Sequence, residues 1–193
     1  MSRLDAQMAF LAEAEKLRTI LRATPIGDNS RQENSGEHSW HIALYALILA
    51  EHAPEGVQID RVIRMLLIHD IVEIDAGDVP IYAQTAEGQA ETEAKEQRAA
   101  ERIFGLLPQD QARDLITLWQ EFEAAESPDA VFAKSLDRFQ PPNLNLAVGG
   151  GSWTTYNVTF DVLDQRVGKP VRRGAPALWD WIAPKIRAVL GSH

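Results

Sequence analysis

The chain has 193 residues, 45% of them apolar, which is enough for one domain with a substantial buried core. Its net charge of −9, with no long Lys/Arg run, argues against a nucleic-acid polymer or a membrane surface as partner, because phosphate backbones are held by clustered cations. The lack of cysteine excludes disulfides, thiolate metal sites and cysteine nucleophiles, so any metal must sit on His and carboxylate groups.

The first residues, MSRLDAQMAFLAEAEKL, interleave acids with apolar residues and read as neither secretory signal nor transit peptide. No apolar run reaches the length of a membrane span, and a cytoplasmic location is expected. Leu4, Met8, Leu11, Ala14, Leu17 and Leu21 recur at spacings of three and four, predicting an amphipathic helix over 4–22 that Thr24-Pro25 ends. A polar connector over 27–36 leads to a second helix over 37–52. Pro54-Glu55-Gly56 breaks the pattern, and a third helix runs from Asp60, a candidate N-cap, to Asp70 or Ile71.

Residues 72–82 read as short and irregular, with Gly77 and Pro80 as punctuation. Helices follow over 87–104, a charged and solvated stretch, and over 108–124. Ser127-Pro128 reads as an N-cap and first-turn proline opening a helix to Leu146, which Pro141 and Pro142 should kink or interrupt. A flexible Gly149–Gly151 link then precedes two last helices, over 159–168 and 176–190. No strand signal is found, so the expected fold is all-α, a single domain over 1–193 with roughly seven or eight helices. Trp40, Trp119, Trp179 and Trp181 are read as packing, and Trp153 as core or interface packing, the alternative being an aromatic lid over a base.

Residues 33–80 hold four of the five histidines together with carboxylates at helical spacings. His69-Asp70 ends the apolar run Met65-Leu66-Leu67-Ile68, which puts an imidazole and a carboxylate into a core, where a cation would stabilise them. His38 opens another apolar helix, Glu73 follows His69 by four, Asp78 follows Gly77, and Asp137 lies far downstream in Lys134-Ser135-Leu136-Asp137-Arg138. His41 shares a face with His38 and reads as packing or support. His52 and His193 read as surface positions.

That ordered set resembles the HD-domain metal-dependent phosphohydrolases, closest to the branch of the bacterial 5'-deoxynucleotidases. The resemblance implies that His38, His69, Asp70 and Asp137 bind one divalent ion, whether Mn, Co, Mg, Zn, Ni or Fe. It implies Glu73 as the general acid/base, the alternative being a carboxylate that holds a histidine. Asp78 would assist the leaving group or bind a sugar hydroxyl, or else cap the Val79-Pro80 bend. Arg31 and Arg22 are candidate phosphate ligands, each with a plain surface role as the alternative. That branch carries an Arg-Trp pair where this chain reads Leu21-Arg22-Ala23-Thr24, which leaves substrate choice open.

The expected activity is hydrolysis of a phosphomonoester of a small metabolite, a (deoxy)nucleoside 5'-monophosphate being the leading substrate, by a homodimer. A pyrophosphohydrolase or phosphodiesterase on the same site, and a non-catalytic metal-stabilised dimer, are the alternatives. Dinuclear and di-iron sites are disfavoured, since only His193 follows His69.

Overall fold

Ser2 starts the chain's first helix by a reciprocal cap: its Oγ accepts from Asp5 N, and the Asp5 carboxylate accepts from Ser2 N. In the computed structural model, which describes residues 2–83 and 86–191 and leaves aside the side chains of 86, 87 and 89, this helix α1 spans only Arg3–Ala14. A tight turn over Glu15–Thr19 follows, and the chain then runs extended as β1, Leu21–Pro25. β1 pairs antiparallel with β2, Gln32–Asn34, in the register Leu21↔Asn34 and Pro25↔Gln32.

This hairpin corrects both the long first helix and the absence of strands. It is too short to show alternation, and its turn is made by Asp28 accepting from Ser30 N and by Asn29 at φ 58. Much of the face expected to be buried is also turned outward, since Leu4, Met8 and Leu11 of α1 and Leu21 of β1 are exposed while Leu17 is buried. Phe10 packs instead, with its ring centroid 6.1 Å from that of Phe104.

Asn34 caps α2, Ser35–Ile48, in a box with Glu37. α3, Ile59–Ile68, starts after Gln58 rather than at Asp60, which sits in its first turn. Its last residues tighten into a turn over His69–Val72 in which all four residues are buried, followed by α4, Glu73–Ala76, and Gly77 at φ 78. Then come α5, Ala86–Phe104, α6, Gln109–Ala124, and α7, Pro128–Ala147, the last capped by Ser127 Oγ as the sequence predicts.

α7 runs through Pro141 and Pro142 without the expected interruption. The two prolines remove the N–H groups that would meet the Asp137 and Arg138 carbonyls, and the helix continues past them to Ala147. Gly149, Gly150 and Gly151 all have positive φ and make a set turn rather than a loose link. The end of the chain is α8, Ser152–Thr155, α9, Phe160–Leu163, α10, Lys169–Gly174, and α11, Pro176–Leu190. The single helix expected over 159–168 is split, its second half being a wide turn over Asp164–Gly168.

Seven of these helices have ten or more residues, and the fold is all-α apart from the hairpin. No described helix is long and apolar enough to cross a membrane.

Two cores meet behind the site. Ile42, Met65, Leu66, Phe132, Leu136 and Ile182 belong to one, while Phe10, Ile71, Ile103, Phe104 and Trp119 belong to the other. The turn His69–Val72 lies between them, so its backbone is fixed from both sides. Trp119, Trp153 and Trp179 are buried, whereas Trp40 and Trp181 are 61% and 54% exposed and do not pack inside.

Candidate metal centre

His38 enters the site from the first turns of α2 and is wholly buried. Its Nε2 lies 3.1 Å from Asp137 Oδ1 on α7, and its Nδ1 lies 3.1 Å from Gln140 Oε1 and 3.4 Å from Glu33 Oε2. Gln140 in turn donates from Nε2 to Glu33 Oε1 at 2.7 Å, and the same nitrogen lies 3.1 Å from His41 Nδ1. His41 thus supports the site from behind, as expected, edge-on to Tyr45.

His69 donates from Nδ1 to the Leu66 carbonyl at 2.9 Å, which leaves Nε2 as the bare lone pair. That atom is buried, 2.9 Å from Asp70 Oδ1 and 3.8 Å from Asp137 Oδ1, yet in hydrogen-bond geometry with neither. A lone pair buried against two carboxylate oxygens is a poor arrangement until a cation lies between them. Ligand atoms of His38, His69 and Asp137 all fall within 4.8 Å of one another, and Asp70 stands beside them. The donor set of imidazole and carboxylate fits a divalent ion.

Arg22, on β1, reaches beneath this group with its side chain 13% exposed. Its Nη1 bonds Asp70 Oδ2 at 2.8 Å and lies 3.8 Å from both Glu73 Oε1 and Asp78 Oδ1, while Nε is 3.9 Å from Glu33 Oε2. Burial works against its charge, but Asp70, Glu73 and Asp78 hold the guanidinium's pKa above its ordinary value. Burial also raises Asp70, yet His69 and Arg22 together bring it below the usual carboxylate range. Asp137 goes the same way, with burial outweighed by Arg138 and by the bond from His38.

Burial and Arg22 push His38 down, but Asp137, Glu33 and Asp70 turn the net shift upward, which marks a site short of positive charge. Glu73 behaves differently. Burial and the neighbouring Asp70 push it well above its ordinary value, against the bond it accepts from Ser35 Oγ. Burial likewise raises Asp78, with Arg22 opposing.

Arg22, His69, Asp70, Glu73, Asp78 and Asp137 line a cavity of about 340 Å³, whose other walls carry Tyr82, Glu96, Lys134, Arg138, Asn145 and Ser152. Of the residues singled out in the sequence, His38, His69, Asp70, Asp137, Glu73, Asp78 and Arg22 converge here. Arg31 does not: it is exposed, pairs with Glu37 through bonds of 2.6 and 2.7 Å, and lines no part of the cavity. His52 is exposed, and His193 lies outside the described residues.

Glu33, Gln140 and Arg138 escaped the sequence reading. Gln140 and Arg138 were findable, being three residues and one residue from Asp137 on one helix. Glu33 gave no signal, because only the unforeseen hairpin buries it.

The chain's similarity to known proteins is extensive. The solved structure of a protein from Magnetospirillum magnetotacticum, described as a predicted metal-dependent phosphohydrolase, superposes with a TM-score of 0.92 at 48% identity, covering 98% of this chain and 94% of that one. A conserved hypothetical protein from Pyrococcus furiosus shares the fold, with a TM-score of 0.61 at 19% identity over 93% of this chain and 99% of that one. Among curated proteins, the human 5'-deoxynucleotidase HDDC2 is 29% identical over 132 residues, 68% of this chain and 62% of that protein. The 5'-deoxynucleotidase ECA3034 of Pectobacterium atrosepticum is 29% identical over 131 residues, 65% of each. This chain therefore matches less than two thirds of the length of those two relatives. The sequence pattern of the HD domain matches residues 14–179, and with the convergence of its histidines and aspartates on one buried point, the chain belongs to the HD domain family.

Proposed function

We propose that this protein is a metal-dependent phosphohydrolase that cleaves a phosphomonoester of a small metabolite, a (deoxy)nucleoside 5'-monophosphate in the first instance. The observation that carries the reading is the buried, unpartnered Nε2 of His69 facing Asp70 and Asp137. Two features support it: the 5'-deoxynucleotidase names of the relatives, and a cavity of metabolite size beside these groups.

His38, His69, Asp70 and Asp137 would hold one divalent ion. Such an ion, when bound, polarises a phosphoryl oxygen and lowers the pKa of water. The remaining work falls to the chain. Glu73, with its pKa raised, is the carboxyl suited to hold a proton at Oε1 or Oε2 and pass it on, and Ser35 fixes its orientation. Arg22 keeps Asp70 ionised and stops Glu33, Glu73 and Asp78 from repelling one another. Packing from both cores keeps bulk water behind the site out.

Phosphate release from a panel of deoxynucleoside and nucleoside monophosphates, with added Mn or Co, tests the reading. Asp70→Ala should abolish both metal binding and release. Glu73→Gln should keep the metal and lose about 10²–10⁴-fold in kcat. A wild type that binds metal but releases phosphate from no monoester would refute it.

A further inference from the structure

We propose that Arg138 and Asn145 hold the substrate from one face of α7, Arg138 gripping the phosphate and Asn145 donating to an acceptor on the group the phosphate leaves. The proposal rests on the phosphomonoesterase reading and adds to it which residues recognise the two ends of the ligand.

Three cations line the cavity, and Arg138 is the one least engaged by carboxylates. Arg22 is enclosed by Asp70, Glu73, Asp78 and Glu33. Lys134 donates to both oxygens of Glu123, at 3.0 and 3.1 Å, with its ammonium 4.0 Å from the centre of the Phe122 ring. Arg138 has an ion pair with Asp137, Nε to Oδ2 at 3.7 Å, and makes no hydrogen bond among the described residues. Its side chain is 28% exposed, and it sits one residue from Asp137. A planar guanidinium with a free fork matches two phosphate oxygens at once.

Asn145 lies seven residues further on, two turns along the same face, with Pro141 and Pro142 between them as an apolar wall of the cavity. The residue is 1% exposed. Its Oδ1 accepts from Ser152 N at 2.8 Å and from Ser152 Oγ at 3.1 Å. A backbone N–H can only donate, so the atom facing it is oxygen and the amide's NH2 points the other way.

That NH2 makes no hydrogen bond among the described residues. The arrangement is built in: the turn over Gly149–Gly151 delivers Ser152, and a Cβ at Gly151 would run into Asn145 Oδ1. A buried side chain with two unused donors beside a cavity calls for an acceptor in the ligand.

At about 1.5 Å per residue, the two positions stand about 10 Å apart along the helix axis. The ligand class is therefore a phosphomonoester with a carbonyl, ring nitrogen or hydroxyl about one sugar ring away from the phosphate. A bare alkyl or phenyl phosphate would meet Arg138 and leave Asn145 unused.

The test is calorimetric binding to the Mn-loaded full chain of three probes: inorganic phosphate, phenyl phosphate and thymidine 5'-monophosphate. Thermal midpoints establish that each variant is folded. Arg138→Met should weaken all three by about tenfold or more, and Arg138→Lys should recover part of the loss, since an ammonium restores the charge but not the fork.

Asn145→Asp keeps an oxygen for Ser152 and removes the donors. It should weaken thymidine 5'-monophosphate by about tenfold more than the other two, because the added charge repels all three phosphates alike while only the nucleotide loses a hydrogen bond. The proposal falls if Arg138→Met leaves inorganic phosphate affinity unchanged, if Asn145→Asp affects all three probes alike or none, or if the wild type binds none of them. Binding differences as expected in a protein that hydrolyses no monoester would overturn the hydrolase reading while keeping this assignment; hydrolysis with unaltered binding would do the reverse.

Discussion

Glu96 faces the cavity from α5, and burial, reinforced by Glu123, lifts its carboxyl to about 7 against the pull of Lys134. Between the ordinary 4.5 and 7 the folded chain keeps a proton that the unfolded chain has released. The associated stability is complete below the lower value and is lost as pH rises through the upper one. Glu96→Gln, which carries no charge at any pH, should flatten the decline in urea midpoint across that window. Parallel slopes for wild type and variant would remove Glu96 from the account. The metal-ligand candidates could be read in the text because their residue types and order survive any small error in element boundaries. Arg31 could not be placed, because its direction depends on the hairpin, and Asp28–Asn29 is a weak turn signal.

At the scale of elements, capping was the most legible feature. Ser127 and Pro128 open α7 where the text predicts, whereas α1 stops at Ala14 although apolar spacing continues to Leu21. Periodicity marks residues able to line a helix, but tertiary pairing decides whether they do. Here the Arg22 bond to Asp70 and the pairing with β2 favour the extended form. The Gly149–Gly151 turn makes the opposite point, since a glycine run that reads as loose is fixed by contact. Gly151 sits at φ 48 with Val148 Cγ2 3.0 Å and Pro25 Cγ 3.1 Å from where a Cβ would lie. Gly151→Ala should therefore cost about 1–3 kcal/mol in chemical denaturation. It should also disturb Ser152 more than the metal ligands, which a metal titration of the same variant would show as unchanged affinity.

For the whole molecule, Trp40, Leu44, Leu47 and Ile48 on α2 and Trp181 on α11 are exposed apolar residues, and Leu44, Ile48 and Trp181 meet at one groove. That groove, of about 510 Å³, is lined further by Tyr45, Phe139 and Leu178. On a chain of charge −9, an apolar groove without carboxylates among its described lining residues is where two copies can meet with least repulsion, and the expected homodimer is proposed to form there. Sedimentation should give twice the chain mass for the wild type and the monomer mass for Ile48→Glu; a monomeric wild type would end that proposal.

The site itself has a further consequence at this scale. His38 and Asp137 are separated by 99 positions in sequence and meet at 3.1 Å, with His69 drawn from between them. A cation shared by the three would act as a clasp across about half of the chain, because drawing together positions so far apart costs an unfolded polymer loop-closure entropy. Scarcity of that ion would then reach beyond turnover: the protein's lifetime, and its exposure to proteases, would follow the supply of the metal it uses.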